Sequence, residues 1–257
     1  MKDTAPQSPF TATYFREYGI HSVDNGDSTD HLMSFPNWEE TEIALKNDLP
    51  SSGTIITPEY ITTNELSKET LERSVERIND RIEYARDISR LTDATLYLGT
   101  ALKTQTRGTM VEPPKDIWHN TSLQIRHGKI EATHLKHHML PIEEDIGMSA
   151  PERHYRRTVK NGRAVLVCAD LYRYYFSPDS LTSAVTSDVI APLMWASPLK
   201  DERRRPHERD DYYRSMLETT VGKYVATSLP HVRRVTTVDK GRPDIPPYNA
   251  VFTRHDS

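Results

Sequence analysis

The chain has 257 residues, 36% of them hydrophobic, and its 33 Lys and Arg stand against 37 Asp and Glu for a formal charge of −4. That balance speaks against a general nucleic-acid binder, which carries a basic excess, and against a membrane-surface protein, while the apolar content is too high for a wholly disordered chain. One cysteine, Cys168, excludes an intrachain disulfide and fits a reducing compartment. The opening MKDTAPQSPF lacks the apolar stretch of a secretory signal, and no stretch approaches the roughly 20 apolar residues of a membrane helix. The expectation is a cytoplasmic protein without membrane or nucleic-acid partners.

Residues 1–30 are rich in Ser, Thr, Asp and Pro and read as a loose N-terminal extension, with at most a short helix around Phe15–Tyr18. Residues 31–257 read as a single domain. His31–Phe35 is a first strand. Asn37, three residues before Glu40, opens a helix that runs to about Asp48. Thr54–Thr57 is a short, β-branched buried strand running into Pro58-Glu59. A long helix follows over Ser67–Leu91, with Leu71, Val75, Ile78, Ile82 and Ala85 on one face. Thr95–Leu102 is a strand. Thr121–Ile125 and Lys129–Leu135 flank Arg126-His127-Gly128, a hairpin in which Gly128 supplies a positive φ. Ala164–Val167 is a second buried strand, ending at Cys168. A helix starts near Ser180–Ser187, a strand covers Val189–Trp195, and Lys200–Asp211 is a mixed-charge solvated loop. Tyr212–Tyr224 is helical, and the tail from Val232 is strand-like, then Pro-rich. The mixed order, without an internal repeat or clear linker, favours helices packed on sheets.

Three of these strands end in a side chain suited to one chemistry: Glu59, Lys136 and Cys168. The C-terminal ends of strands are where α/β folds assemble sites. A cysteine needs thiolate character to attack a carbonyl or nitrile carbon. A carboxylate can take its proton and pass it to a leaving amine, and an ammonium can hold an oxyanion. As bare residue types, the three are one choice among many.

The segments carrying them, ITPEY at 56–60, NTSLQIRHGKIEATHLKHHMLPIEE at 120–144 and VLVCADLYR at 165–173, resemble in order and spacing the three motifs of the nitrilase, or carbon–nitrogen hydrolase, superfamily. The resemblance spans roughly residues 30 to 225. It implies a four-layer α-β-β-α sandwich, a Glu59–Lys136–Cys168 triad, and Glu144 as a second glutamate that positions substrate and lysine. It also implies the Ala169 N–H beside Lys136 in the oxyanion hole, no metal or organic cofactor, a small-molecule amide or nitrile substrate, and a homodimer or larger assembly. Two features depart from the family: Ala169 stands where an aromatic residue is usual, and residues after 225 match poorly.

Tyr60, His138 and Asp170 adjoin the triad and are candidates for the substrate pocket. Trp195 either lines that pocket or is plain core. His134, His137 and His138 lack a recurring zinc spacing, so no metal site is expected. Arg153, Arg156, Arg157 and Arg163 belong to a basic run read as a solvated loop rather than as a steering patch. Three functions stay open: hydrolysis of a non-peptide carbon–nitrogen bond, acyl transfer to an amine by the same triad, and a catalytically inactive binding or assembly protein.

Overall fold

The computed structural model describes residues 8–63, 67–105, 115–151, 159–160, 162–173, 186–194, 206–241 and 246–255. Its strands are β1 (Phe10–Phe15), β2 (Gly19–Asp24), β3 (Thr29–Ser34), β4 (Thr54–Ile56), β5 (Thr95–Gln105), β6 (Asp116–Arg126), β7 (Lys129–Leu135), β8 (Val159–Lys160), β9 (Arg163–Val165), β10 (Asp188–Leu193), β11 (Arg234–Asp239) and β12 (Asn249–Arg254). Its helices are α1 (Trp38–Asn47), α2 (Lys68–Arg73), α3 (Val75–Ile88), α4 (Pro141–Asp145), α5 (Asp170–Arg173) and α6 (Pro206–Thr219), the last continued through a π-helical turn, Thr220–Val225, into α7 (Ala226–Ser228).

The strands form two six-stranded sheets, one ordered β1-β12-β11-β10-β9-β8 and the other β2-β3-β4-β5-β6-β7. Each has a parallel centre, β9-β10-β11 and β3-β4-β5, flanked by antiparallel strands. Two cores show the layering. Met33, Ile55, Leu96 and Leu98 of the second sheet pack with Trp38 and Leu45 of α1 and Ile78, Ile82 and Ala85 of α3. Leu32, Ile56 and Tyr97 point the other way, onto Val189, Val235 and Val238 of the first sheet, whose core extends to Tyr213, Leu217 and Val221 of the C-terminal helix. Alternation along a strand sends neighbours such as Leu32 and Met33 into different cores. The result is the expected α-β-β-α sandwich.

The first thirty residues correct the reading of the sequence. From residue 8 they are not a loose extension, and Phe10–Phe15 is strand rather than lead-in to a helix. β1 closes the first sheet against β12, and β2 pairs with β3 at the edge of the second. Edge strands are half-exposed, so their Ser, Thr and Asp content resembles that of a loop. The period-two signal, Phe10, Ala12 and Tyr14 packed inward, was present but short.

The long helix of 67–91 is two. Ser67 caps α2 by accepting from the Thr70 N–H, and the chain breaks at Ser74 before α3 starts. Asn37 caps α1 as expected, accepting from the Glu40 N–H at 2.9 Å. The hairpin turn carries positive φ at both His127 and Gly128, as a type I′ turn requires. The charge run is helical from Pro206, and Asp210 pairs with Arg16 and accepts from the Tyr248 hydroxyl, so that part is no solvated loop. Residues 180–185 of the expected helix start, Trp195, and Arg153, Arg156 and Arg157 lie outside the described residues. Among the described residues no helix is long and apolar enough to cross a membrane.

Candidate active site

The parallel strands β4 and β9 deliver their C-terminal ends to the same side of the sandwich. Beyond β4, the Thr57 hydroxyl donates to the Tyr97 carbonyl at 3.1 Å and accepts from the Gly99 N–H at 3.0 Å, which fixes the chain entering Pro58-Glu59. Gly99 allows this approach, since a Cβ there would stand 1.9 Å from the Pro58 carbonyl oxygen. Gly99→Ala is therefore expected to cost about 1–3 kcal/mol as overpacking, read as a lowered urea midpoint, and to displace Glu59.

Beyond β9 the ladder continues past the strand proper: the Leu166 and Cys168 N–H groups donate to the Ile190 and Pro192 carbonyls at 2.9 Å. Cys168 then turns sharply with φ +47°, a conformation that costs a non-glycine residue energy and clusters at functional sites. The Ala169 N–H that follows has no backbone acceptor among the described residues, as an oxyanion donor requires. Lys136 follows β7, and its own N–H donates to the Asn120 carbonyl at 2.9 Å.

These ends bring Glu59, Lys136 and Cys168 into one buried cluster. The Lys136 ammonium lies 3.0 Å from Glu59 Oε1 and 2.8 Å from Glu143. The Asn120 amide donates to both carboxylates, to Glu143 Oε1 at 2.8 Å and to Glu59 Oε1. The Tyr60 hydroxyl donates to Glu143 Oε1 at 2.5 Å. The Cys168 thiol is buried beside them, close enough to Glu59 and Lys136 for each to shift its pKa.

The electrostatics are those of a dry site with one cation and two carboxylates. Burial pushes the Glu59 carboxyl up, opposed by Lys136 and aided by Glu143. Burial likewise pushes the Cys168 thiol well up, with Glu59 adding to it and Lys136 opposing. Burial disfavours the Lys136 charge, but a Cys168 thiolate, when it forms, and the Glu59 and Glu143 carboxylates outweigh it and raise the Lys136 pKa. The resting cysteine is thus a neutral thiol, and it can become a nucleophile only as its proton passes to Glu59.

The expected second glutamate is displaced by one position. Glu144 is exposed, and Glu143, buried, is the carboxylate on Lys136. Helix geometry decides this. Pro141 stands at the first position of α4, and the third-position residue, Glu143, turns back to accept from the Leu140 N–H at 2.8 Å. Its neighbour then faces outward. The Leu-Pro-Ile-Glu pattern carried that signal.

The candidate pocket residues take different places. Tyr60 is fully buried behind Glu143, with its hydroxyl also 2.9 Å from Met148 Sδ, and it braces the glutamate. Asp170 accepts from the His137 and His138 N–H groups at 3.0 and 2.8 Å and from His138 Nδ1 at 2.8 Å, which ties the turn after Cys168 to the turn after Lys136. His138 is half-buried against it. Among the described residues no group of His, Cys, Asp and Glu has the arrangement of a metal site.

Two residues were missed. In the sequence Asn120 only opens the segment leading to Lys136, and nothing local marks it as a bridge between carboxylates. Lys240, just after β11, is buried and donates to the Thr63 carbonyl at 2.7 Å, holding the loop that follows Glu59. Burial lowers its pKa to about 8. The unfolded chain then holds this proton more tightly than the folded one, so the Lys240 contribution makes stability rise with pH above 8. Urea melts at pH 7.5 and 9.5 should show wild type gaining about 2 kcal/mol relative to Lys240→Met; equal changes would place the ammonium in water.

No protein-family profile and no curated protein sequence matches the chain. Solved structures do. An amidase of the nitrilase superfamily from Nesterenkonia superposes with a TM-score of 0.55 at 11% identity over 98% of this chain and 93% of its own. A carbon–nitrogen hydrolase from Helicobacter pylori gives 0.56 at 10% identity, covering 84% of this chain and 82% of its own. A glutamine-dependent NAD+ synthetase from Acinetobacter baumannii gives 0.54 at 13% identity, and there the chain spans 41% of the longer protein. The chain has the fold of the nitrilase-type carbon–nitrogen hydrolases. The likeness reaches past residues 30 and 225, so β1, β2, β11 and β12 belong to the shared fold.

Proposed function

We propose that the protein is a cysteine-dependent hydrolase of non-peptide carbon–nitrogen bonds, acting on small amides or nitriles. The observation that carries this reading is the convergence of Glu59, Lys136 and Cys168 in one buried cluster, braced by Asn120 and Glu143. The shared fold with amidases supports the general class.

In this reading Glu59 takes the thiol proton as Cys168 Sγ bonds to the amide carbon. The carbonyl electron pair moves onto oxygen, which the Lys136 ammonium and the Ala169 N–H hold. Glu59 returns the proton to the nitrogen as the carbon–nitrogen bond breaks, leaving a thioester. Water, deprotonated by Glu59, attacks the thioester and releases the carboxylate and the thiol. Keeping the thiol neutral at rest fits this sequence, because one carboxylate can shuttle the proton in both halves.

The test is intact mass after an acid quench, with the protein mixed with a panel of small amides, carbamoyl compounds and nitriles. An acyl adduct on wild type establishes the covalent route and identifies the acyl half of the substrate. A variant of the Nesterenkonia amidase carries the acetamide moiety of fluoroacetamide on its active-site cysteine, so fluoroacetamide is a direct probe here. No adduct, no product and an unreactive Cys168 across the panel would overturn the reading in favour of a binding protein.

A further inference from the structure

The sandwich holds a second polar site at the opposite edge from Cys168. A cavity of about 680 Å³ opens between the sheets where β4, β5, β9, β10 and β11 begin, and its lining includes Arg163, Arg233, Arg234, Asp188 and Gln124. None of the groups of the cysteine cluster borders it.

Its inner wall is unusually charged for the space between two sheets. Arg234 is 8% exposed and Asp30 1%. Asp30 is shared by two guanidinium groups, with Arg234 Nη2 at 3.1 Å and Arg163 Nη2 at 3.4 Å, while Arg163 Nη1 donates to the Thr54 hydroxyl at 2.8 Å. Buried polar groups are nearly always hydrogen-bonded. Here Arg234 Nε and the Gln124 Oε1 have no hydrogen-bond partner among the described residues, and Arg234 Nη2 meets Asp30 as an ion pair without hydrogen-bond alignment. Leaving a buried charged donor unsatisfied is costly, and a carboxylate is the group that matches the Nε and Nη edge of a guanidinium with two parallel hydrogen bonds.

Charge limits the occupant. Arg163, Arg233 and Arg234 face Asp30 and Asp188, an excess of one positive charge. Asp24 and Asp27 of the exposed β2–β3 turn also line the cavity, and the exposed Glu131 accepts from Gln124 Nε2 at 3.1 Å, so its outer rim is acidic. One anionic group is balanced inside, and further negative charge meets the acidic rim. We propose that this cavity binds a small monocarboxylate, seated on Arg234 with Arg163 and Arg233 beside it. The site is independent of the triad reading, since it lies at the other end of the fold.

The experiment uses the Cys168→Ala full-length protein, so that binding at the cysteine centre is uncoupled from turnover, with benzoate and hexanoate as probes and phosphate, citrate and hexylamine as controls. Titration is followed by the arginine Nε–Hε resonances and by calorimetry. The expected result is a saturable shift of the Arg234 Nε–Hε signal with either monocarboxylate, weakened about tenfold or more in Arg234→Lys and less in Arg233→Ser. Arg233 is exposed, so its variant keeps the test open if Arg234→Lys fails to fold. No saturable shift with any probe, unchanged affinity in the variants, or tighter binding of citrate, phosphate or hexylamine would overturn the proposal.

Discussion

Cys168→Ala is expected to abolish amide turnover, by at least about 10⁴-fold in kcat, because removing a nucleophile leaves only the oxyanion donors and binding to act. The fold should survive. Cys168 is buried, and alanine keeps its small apolar volume while omitting only the sulfur. The checks are steady-state turnover of whichever amide forms the acyl adduct, intact mass under the same quench, and a urea melt. Retained turnover in a cleanly folded variant sinks the triad. Lost turnover together with a broken melt would assign the cysteine a structural role instead.

The clustered Glu59, Lys136 and Cys168 were legible because the three segments carrying them resemble, in order and spacing, the motifs of one superfamily; strand pattern alone places Glu59 and Cys168 after short apolar strands and leaves them one choice among many. Pro58 breaks the strand before Glu59, and the AVLV run leads into Cys168. Lys136 was legible from the hairpin, since Gly128 fixes the turn and the strand counts forward from it. Information failed where position depends on another element. Asn120 sits at a paired position of β6 that acquires meaning only when β7 and the Glu59 loop close around it. Lys240 reaches a carbonyl 177 positions away. Asp30 and Arg234 pair between sheets across a similar gap, so neither reads as more than a strand-end charge. β1 and β2 were misread for a related reason: an edge strand owes much of its stability to one neighbour, and the neighbour of β1 is the last strand of the chain.

The distinction between Glu143 and Glu144 carries the second large effect. Glu143 is one of two anions on Lys136, and it raises the pKa of both Glu59 and Cys168. Glu143→Gln keeps the shape and one acceptor for the Tyr60 and Asn120 donors while deleting the charge. Two consequences follow. Lys136 loses an ion-pair partner at 2.8 Å, which lets the ammonium leave the position an oxyanion needs; misplacement of such a group costs on the order of 10²-fold or more in kcat. The sign of the second is set by charge alone: with one neighbouring anion gone, the Glu59 proton comes off at lower pH. The base must be deprotonated to act, so the acidic limb of the kcat/KM profile should move to lower pH, as a property of the coupled cluster rather than of one residue. A residue with a merely structural role would lower the whole profile without moving that limb. Glu144→Gln should leave both rate and profile as in wild type, since its side chain faces solvent. The reverse outcome, a silent Glu143→Gln and a damaged Glu144→Gln, would place the helix α4 one residue out of register and return the second glutamate to the position the sequence motif alone suggests.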